Sequence, residues 1–196
     1  EVRPVDVLVS EWDCTLEPAD AGGYALRLGF RQIMGLAEEE AKRLVSVRSN
    51  GYGDPLQLWR RAAINTRSLE ALARADAFRS MGLDRREALW AVKGLPAEPL
   101  PLFAAMGEEE QGSEPAAALP AMGIGEHVAE DYRTLHLSLK RHPLSLLRTR
   151  MQAQGYVPAS RLATIANDTT VKVSGLVLVR QRPGTASGVI FATLED

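Results

Sequence analysis

Two stretches of the chain repeat one pattern of apolar and polar positions. Residues 25–48 and 68–94 each predict a short helix, a tight hairpin and a second helix. In the first stretch the hairpin is Gly35-Leu36-Ala37, and glycine at such a corner permits a positive φ and a close approach of the backbone. The N–H groups that open the next helix lack partners within it and carry a partial positive charge. Such a corner can hold a phosphate without reading a base, so the repeat suggests a sequence-independent grip on a nucleic-acid backbone.

The pattern around these units predicts further elements in the first half of the chain. Alternating valines predict a strand over Val2–Ser10, and Pro4 within it favours the edge of a sheet. A short strand is expected at Ala25–Leu28. Helices are expected over Glu38–Arg48 and Pro55–Ala63.

Local capping signals mark the starts of two more helices. Asn65 or Thr66 is expected to cap one, and Asp84 with Glu87 three positions later forms an aspartate version of the capping box before the other. The aromatic rings of Trp59 and Trp90 fall on the apolar sides of their helices. Both are therefore predicted to be buried.

The second half begins with a stretch of different character. Residues 95–125 are rich in Pro, Ala, Gly and Glu and lack periodicity, which predicts a linker with a small apolar island at Leu100–Phe103. Helices are expected at Glu126–Arg141 and at a basic segment, Leu144–Gln154. Two antiparallel strands are expected at the end of the chain, at 171–181 and 188–196. Gly175 is expected to mark a bulge or sharp coil in the first of them.

The distribution of charge adds a hint of an anionic partner. The net charge is only −2, but residues 60–95 carry eight basic and four acidic residues, and residues 132–182 carry nine basic residues and one aspartate. Residues 96–131 between them carry eight acidic residues and no Lys or Arg. Two basic blocks thus flank an acidic connector, as expected of a protein with an anionic ligand. Ordinary solvated helix faces are the alternative.

Composition excludes several classes of function. No apolar run approaches the roughly 20 residues that span a bilayer, and no signal peptide is visible at Glu1, so we predict an excised, cytoplasmic segment without a membrane partner. The lone Cys14 fits a reducing compartment. The three histidines lack metal-ligand spacing, and no phosphate-binding loop or nucleophile motif is present. No catalytic residue, metal site or cofactor is therefore predicted for this segment.

Seven strings along the chain resemble, in order, the C-terminal part of bacterial C-family DNA polymerases, most closely the error-prone branch of the polymerase III alpha-subunit type. They are EVRPVDV with EWDCTLE, ALRLGFRQIMGL, YGDPLQLWRRA, LARADAFRSMGLDRREALWAVKGL, PLPLF, GEHVAEDYRTLHLSLKRHPLSLLR and VSGLVLVRQRPGTASGVIFATLED. The resemblance implies a mainly α fold with a C-terminal β portion. Residues 1–95 would be the end of the fingers with tandem helix–hairpin–helix elements, and residues 171–196 the first strands of an OB-fold barrel. Between them would lie an acidic linker over 96–125 and a helical connector over 126–170.

The resemblance also implies a role. The parent would be a DNA-directed DNA polymerase, a nucleotidyltransferase using Mg²⁺ in damage-induced mutagenesis, translesion synthesis and DNA repair. Its catalytic palm would lie outside this segment. This piece would bind duplex DNA without sequence preference, and single strands at the OB-fold. The residues predicted to contact DNA are Arg31, Gly35, Leu36, Ala37, Lys42, Arg43, Arg79, Arg85 and Arg86.

Two departures from the family pattern make the hairpins unequal. Ala37 stands where many first hairpins have a second glycine, and Asp76 stands in the second unit where replicative relatives have glycine. A carboxylate repels phosphate, so the second copy is expected to be structural or to bind through its arginines. The alternative function is a protein-interaction module that docks the polymerase onto accessory mutagenesis proteins, with Leu102 and Phe103 as docking residues.

Overall fold

The computed structural model describes residues 1–20, 22–95, 119–185 and 188–196, and it divides the chain into two units. The first unit extends from Glu1 to Leu139 and the second from Lys140 to Asp196. The boundary between the units falls within the predicted helical connector over 126–170. The reason is that the helix at Ile124–Leu135 packs with the first unit.

The described part of the first unit contains five α-helices. They are α1 (Glu38–Ser46), α2 (Pro55–Ala62), α3 (Thr66–Arg74), α4 (Arg85–Lys93) and α5 (Ile124–Leu135). Short 3-10 turns occupy Phe30–Gln32, Arg48–Asn50 and Arg79–Met81. The predicted caps are present: Asn65 accepts from Ser68 N, and Asp84 and Glu87 close a capping box. The helix predicted to reach Arg141 ends instead at Leu135, because His136 turns into the left-handed region with φ +59°.

The apolar core of the first unit lies among these helices. Its fully buried members include Phe30, Leu58, Leu69 and Phe78, which come from separate elements. Trp59 is buried, as predicted. The prediction for Trp90 is wrong: its side chain is 61 % exposed, because Ala88 and Val92 form the buried side of α4.

A small sheet lies at the start of the chain, with strands β1 (Val2–Arg3), β2 (Thr15–Pro18) and β3 (Tyr24–Arg27) in the order β1-β3-β2. β1 pairs parallel and β2 antiparallel with β3. The predicted strand over Val2–Ser10 is wrong beyond Arg3. Asp6 turns the backbone there, since its carboxylate accepts from Leu8 N at 2.8 Å and its carbonyl accepts from Ser10 N at 2.9 Å.

The carboxylate of Glu17 links two arginines across this sheet. It accepts from Arg27 Nε at 2.8 Å and from Arg3 Nη1 at 3.0 Å. These hydrogen bonds, above all those from Arg27, hold the pKa of Glu17 below its ordinary value of 4.5. A carboxylate with a lowered folded-state pKa contributes stability above its unfolded pKa and loses it as the pH falls through the folded value.

We therefore expect Glu17→Gln to lower the urea midpoint of unfolding at about pH 7 and to have a smaller effect at about pH 3, because the stability that the ionised carboxylate contributes declines as the pH falls below its unfolded-state pKa. Urea titrations of both proteins at the two pH values test this. An equal difference at both would show that the charge of Glu17 does not stabilise the sheet.

The second unit contains two helices and a two-stranded ribbon. The elements are α6 (Pro143–Ala153), α7 (Ala159–Leu162), β4 (Leu176–Gln181) and β5 (Phe191–Glu195). β4 and β5 pair antiparallel, with an irregularity between Val177 and Val179. Gly175 precedes the ribbon at a close approach, because a Cβ there would lie 2.7 Å from the Cβ of Leu194.

The predicted fold class, mainly α with a C-terminal β portion, is confirmed. The described residues of the second unit form one antiparallel strand pair and an isolated bridge between Tyr156 and Lys172, but no closed barrel. Over the same described ranges, no helix combines the length and the apolar character that crossing a bilayer requires.

Candidate nucleic-acid interface

The first hairpin has the open backbone that the sequence predicts. Gly35 adopts φ +79°, and a Cβ placed there would meet no atom within 4 Å. Leu36 next to it is buried and anchors the turn, whereas Gly35 and Ala37 are exposed. No side chain caps α1, so the amides of its first turn have no side-chain acceptor. The corner thus presents backbone N–H groups to solvent.

Alanine at position 37 causes no backbone strain in the hairpin. Its backbone is extended, with φ −78° and ψ 142°, which any residue adopts. Only Gly35 needs the left-handed region. The departure from the family pattern at Ala37 therefore does not disturb the geometry of the first hairpin.

The structural equivalent of the first hairpin is Gly82-Leu83-Asp84. Gly82 has φ +76°, follows a 3-10 turn as Gly35 does, and lies three residues before a nine-residue helix. Here Asp84 caps the helix by accepting from Arg86 N and Glu87 N. The Asp84 carboxylate thus occupies amides whose counterparts at the start of α1 have no side-chain acceptor. The second hairpin therefore offers fewer N–H donors to a phosphate.

Asp76 ends α3 rather than forming this hairpin. It adopts φ +62°, which aspartate tolerates better than most residues, and its carboxylate accepts from Arg79 Nε at 2.8 Å. Asp76 therefore has a local structural role, which is one of the two roles that the sequence analysis offered for the second copy.

Most of the cations predicted near the hairpins have carboxylate partners. Arg31 pairs with Asp13 at 3.0 Å and Lys42 with Glu38 at 2.7 Å. The Glu38 carboxylate raises the pKa of Lys42, so this lysine stays charged. Arg43 and Arg79 pair in the same way with Glu40 and Asp76. All four side chains are exposed enough to exchange these partners for a phosphate.

Arg85 does not face solvent. It is 1 % exposed, donates from Nη1 to His127 O at 2.8 Å, and forms an ion pair through Nη2 with the buried Asp131. Ser138 Oγ donates to the other oxygen of Asp131 at 2.7 Å. Arg85 thus joins α4 to α5 and is closed to DNA in this structure.

Arg86 is also engaged with the segment around α5. Its Nη1 donates to Pro120 O at 2.6 Å, and its Nη2 lies 3.6 Å from Glu126 Oε2. About a third of the side chain remains exposed. Arg86 can therefore add charge to a neighbouring groove without leaving these contacts.

A groove beside Gly35 brings together cations that the sequence prediction missed. Met34 N donates to Thr134 O at 2.9 Å, which places the last turn of α5 beside the hairpin. The groove has a volume of about 350 Å³ and continues past Arg74 and Arg133 into a second one at Arg86. Its lining residues are Met34, Gly35, Arg67, Glu70, Ala71, Arg74, Glu130, Arg133 and Thr134.

Arg67 and Arg74 give this groove its positive charge. Both are exposed on α3, and neither forms a salt bridge with the described residues, whereas Arg133 pairs with Glu130 at 2.6 Å. Seven residues of helix separate the two arginines by about 10 Å along the axis. The sequence carries a signal for them, because they share one stripe of α3 opposite the buried Leu69 and Leu72.

Leu102 and Phe103, the predicted docking residues, lie outside the described residues. Within the described ranges, no group of three or more His, Cys, Asp or Glu side chains is arranged to hold a metal ion.

Comparison with known proteins agrees with this geometry. A family model described as a helix-hairpin-helix motif matches residues 1–88, the region that contains both hairpins. Proteins named error-prone DNA polymerase match the whole chain in Ruegeria pomeroyi, with 51 % identity, and in Caulobacter vibrioides, with 46 %. A relative of the same name in Rhodopseudomonas palustris is 48 % identical over the whole chain.

The aligned region is a small part of these relatives. The chain covers 18 % of the Ruegeria pomeroyi protein and 20 % of the Caulobacter vibrioides protein, about a fifth of each. The helix–hairpin–helix geometry and the matches over the whole of this chain agree with the sequence resemblance. Over its whole length, the chain is accordingly homologous to a segment of proteins named error-prone DNA polymerase.

Proposed function

We propose that this chain is a non-catalytic, DNA-binding part of an error-prone DNA polymerase and holds the duplex backbone without sequence specificity. The observation that carries the proposal is the groove in which the uncapped Gly35 hairpin adjoins Arg67 and Arg74. Backbone amides and arginines bind phosphate oxygens regardless of the base that follows.

The two kinds of donor have separate tasks in this proposal. The amides at Gly35 and Ala37 approach one phosphate closely because no side chain blocks them. Arg67 and Arg74 bind further phosphates along α3, and Arg31, Lys42 and Arg43 strengthen the local field once their carboxylate partners are exchanged. Arg85 is left out of the interface because it is buried.

In the parent enzyme, we propose, this grip positions duplex DNA for template-directed synthesis across damaged templates in the cytoplasm. The Mg²⁺ ions of that reaction would bind residues outside this chain. Docking of accessory mutagenesis proteins through Leu102 and Phe103 stays a prediction, and so does single-strand binding by the ribbon of the second unit.

The salt dependence of DNA binding tests the proposal. Arg67→Gln/Arg74→Gln is expected to weaken binding to duplexes of different sequence alike. It should also reduce the magnitude of the negative slope of log Kobs against log salt by about 0.9 for each arginine, since each arginine that binds a phosphate releases counterions. Fluorescence anisotropy with two unrelated duplexes over a salt series measures both quantities.

A matched control is Lys93→Gln, because Lys93 is exposed at the end of α4 and does not line the groove. Its slope should match that of the wild type. An unchanged slope in the double arginine variant, or a preference for one of the duplexes, would contradict the proposed contacts.

A further inference from the structure

The small sheet at the start of the chain turns its apolar side outward. In register across the three strands, Val2 lies beside Leu26 and Leu26 beside Leu16, so these side chains share one face. Tyr24 and its partner Pro18 extend that face by one pair. Leu16 is 67 % and Tyr24 72 % exposed, and the other three residues are also exposed. The five residues are called here the apolar sheet face.

The opposite side of the same sheet is ionic and largely closed. Arg3, Glu17 and Arg27 lie there, joined by hydrogen bonds of 2.8–3.0 Å, and each keeps less than a quarter of its side chain exposed. Ala25 on this side is fully buried. The sheet is thus inverted relative to the usual arrangement, in which the apolar side meets the core and the polar side meets water.

The ionic side fixes which way the sheet faces. Arg27 also donates from Nη1 to Pro4 O at 2.9 Å, and β1 is held through Leu26 N, which donates to Glu1 O at 2.9 Å. A register slip by one residue would exchange the two faces and break every one of these contacts. These contacts therefore hold the apolar side of the sheet outward. Five adjacent exposed apolar side chains mark an interaction surface.

The chemistry around the apolar sheet face argues against DNA as its occupant. The arginines of the sheet, Arg3 and Arg27, lie on the other side and are paired with Glu17. An apolar protein surface fits this face, and a nucleic-acid backbone does not.

We propose that the apolar sheet face packs against an apolar surface of the polymerase polypeptide outside this chain. The relatives align with all of this chain but are about five times as long, so in them the sheet belongs to a polypeptide with roughly four-fifths of its residues elsewhere. A contact within one polypeptide needs no diffusional encounter, which favours that occupant over a second copy. This inference rests on homology to these relatives and not on DNA binding.

Thiol labelling in the full-length polymerase tests the proposal. Leu16→Cys is introduced together with Cys14→Ser, and a brief pulse of N-ethylmaleimide is quantified on the peptide that carries the new cysteine by mass spectrometry. The matched control is Val9→Cys, since Val9 is 46 % exposed and lies outside the sheet. We expect the cysteine at 16 to react at least about tenfold more slowly than that at 9. In the 196-residue chain alone, the two should react at similar rates.

Three results would overturn the proposal. Equal rates at positions 9 and 16 in the full-length enzyme would mean that the face stays open to solvent. Protection at 16 that vanishes on dilution of the enzyme would assign the face to a second copy. Protection that appears only when DNA is added would assign it to the nucleic acid. The comparison within the full-length enzyme is sufficient even if the 196-residue chain does not fold by itself.

Discussion

Asp131→Ala is expected to lower the free energy of unfolding of the first unit by about 3–5 kcal/mol, because it leaves Arg85 buried without its counter-charge. Arg85 and Asp131 are both nearly inaccessible to solvent, and Nη1 of Arg85 would retain only the carbonyl of His127 and its ring nitrogen nearby. Equilibrium urea unfolding followed by circular dichroism measures the change.

Two further variants separate the buried pair from its surroundings. Glu130→Ala removes the neighbouring surface pair with Arg133 on the same helix, and it is expected to cost only about 0–1 kcal/mol. Arg85→Met/Asp131→Leu replaces both charges by apolar side chains and should recover much of the loss. A cost below about 1 kcal/mol for Asp131→Ala would show that the pair does not hold α5 on α4.

Gly35→Glu is expected to reduce duplex affinity at least about tenfold, which corresponds to 1.4 kcal/mol. Two effects add: the new carboxylate repels the phosphate, and the side chain obstructs the approach to the uncapped amides. The substitution also places a Cβ at φ +79°, where non-glycine residues are strained by about 1–2 kcal/mol. Fluorescence anisotropy at low salt gives the affinity, and circular dichroism verifies the fold.

Gly82→Glu is the matched control, because Gly82 has nearly the same φ and equally open space around it. It introduces the same charge and similar strain at the hairpin whose first amides are capped by Asp84. Its affinity should stay within about threefold of the wild type. Equal losses in the two variants would mean that the first hairpin has no special role in binding, and Gly35→Asn would show how much of the loss comes from charge.

Local features of the fold follow from the sequence because they depend on neighbouring residues. The caps at Asn65 and Asp84 and the open corner at Gly35 are set by side chains within about three positions, and all are present. The pattern that places Val5, Val7 and Val9 on one side identifies two buried residues, Val5 and Val7, but Val9 is exposed. It fails on conformation, since the side chain of Asp6 and its contacts with Ser80 turn the segment away from a strand.

Features that join distant parts of the chain do not follow from local patterns. Arg85 lies on the buried side of α4 with Ala88 and Val92, but its counter-charge, Asp131, comes from 46 residues further on. Arg67 and Arg74 were missed for a different reason. The helix–hairpin–helix motif indicates residues at the hairpins, whereas Arg67 and Arg74 lie on α3 and line the groove beside the first hairpin.

The turn at Asp6 bears on when the protein can fold as it is synthesised. Val7 N donates to Ala77 O at 2.9 Å, and Ser80 donates through N and Oγ to the carboxylate of Asp6, 74 positions earlier. At 5–20 residues per second, the beginning of the chain waits about 4–15 s on the ribosome for these partners. During that time Val5 and Val7 lack their native cover, so this part of the fold can close only after residue 80 has emerged.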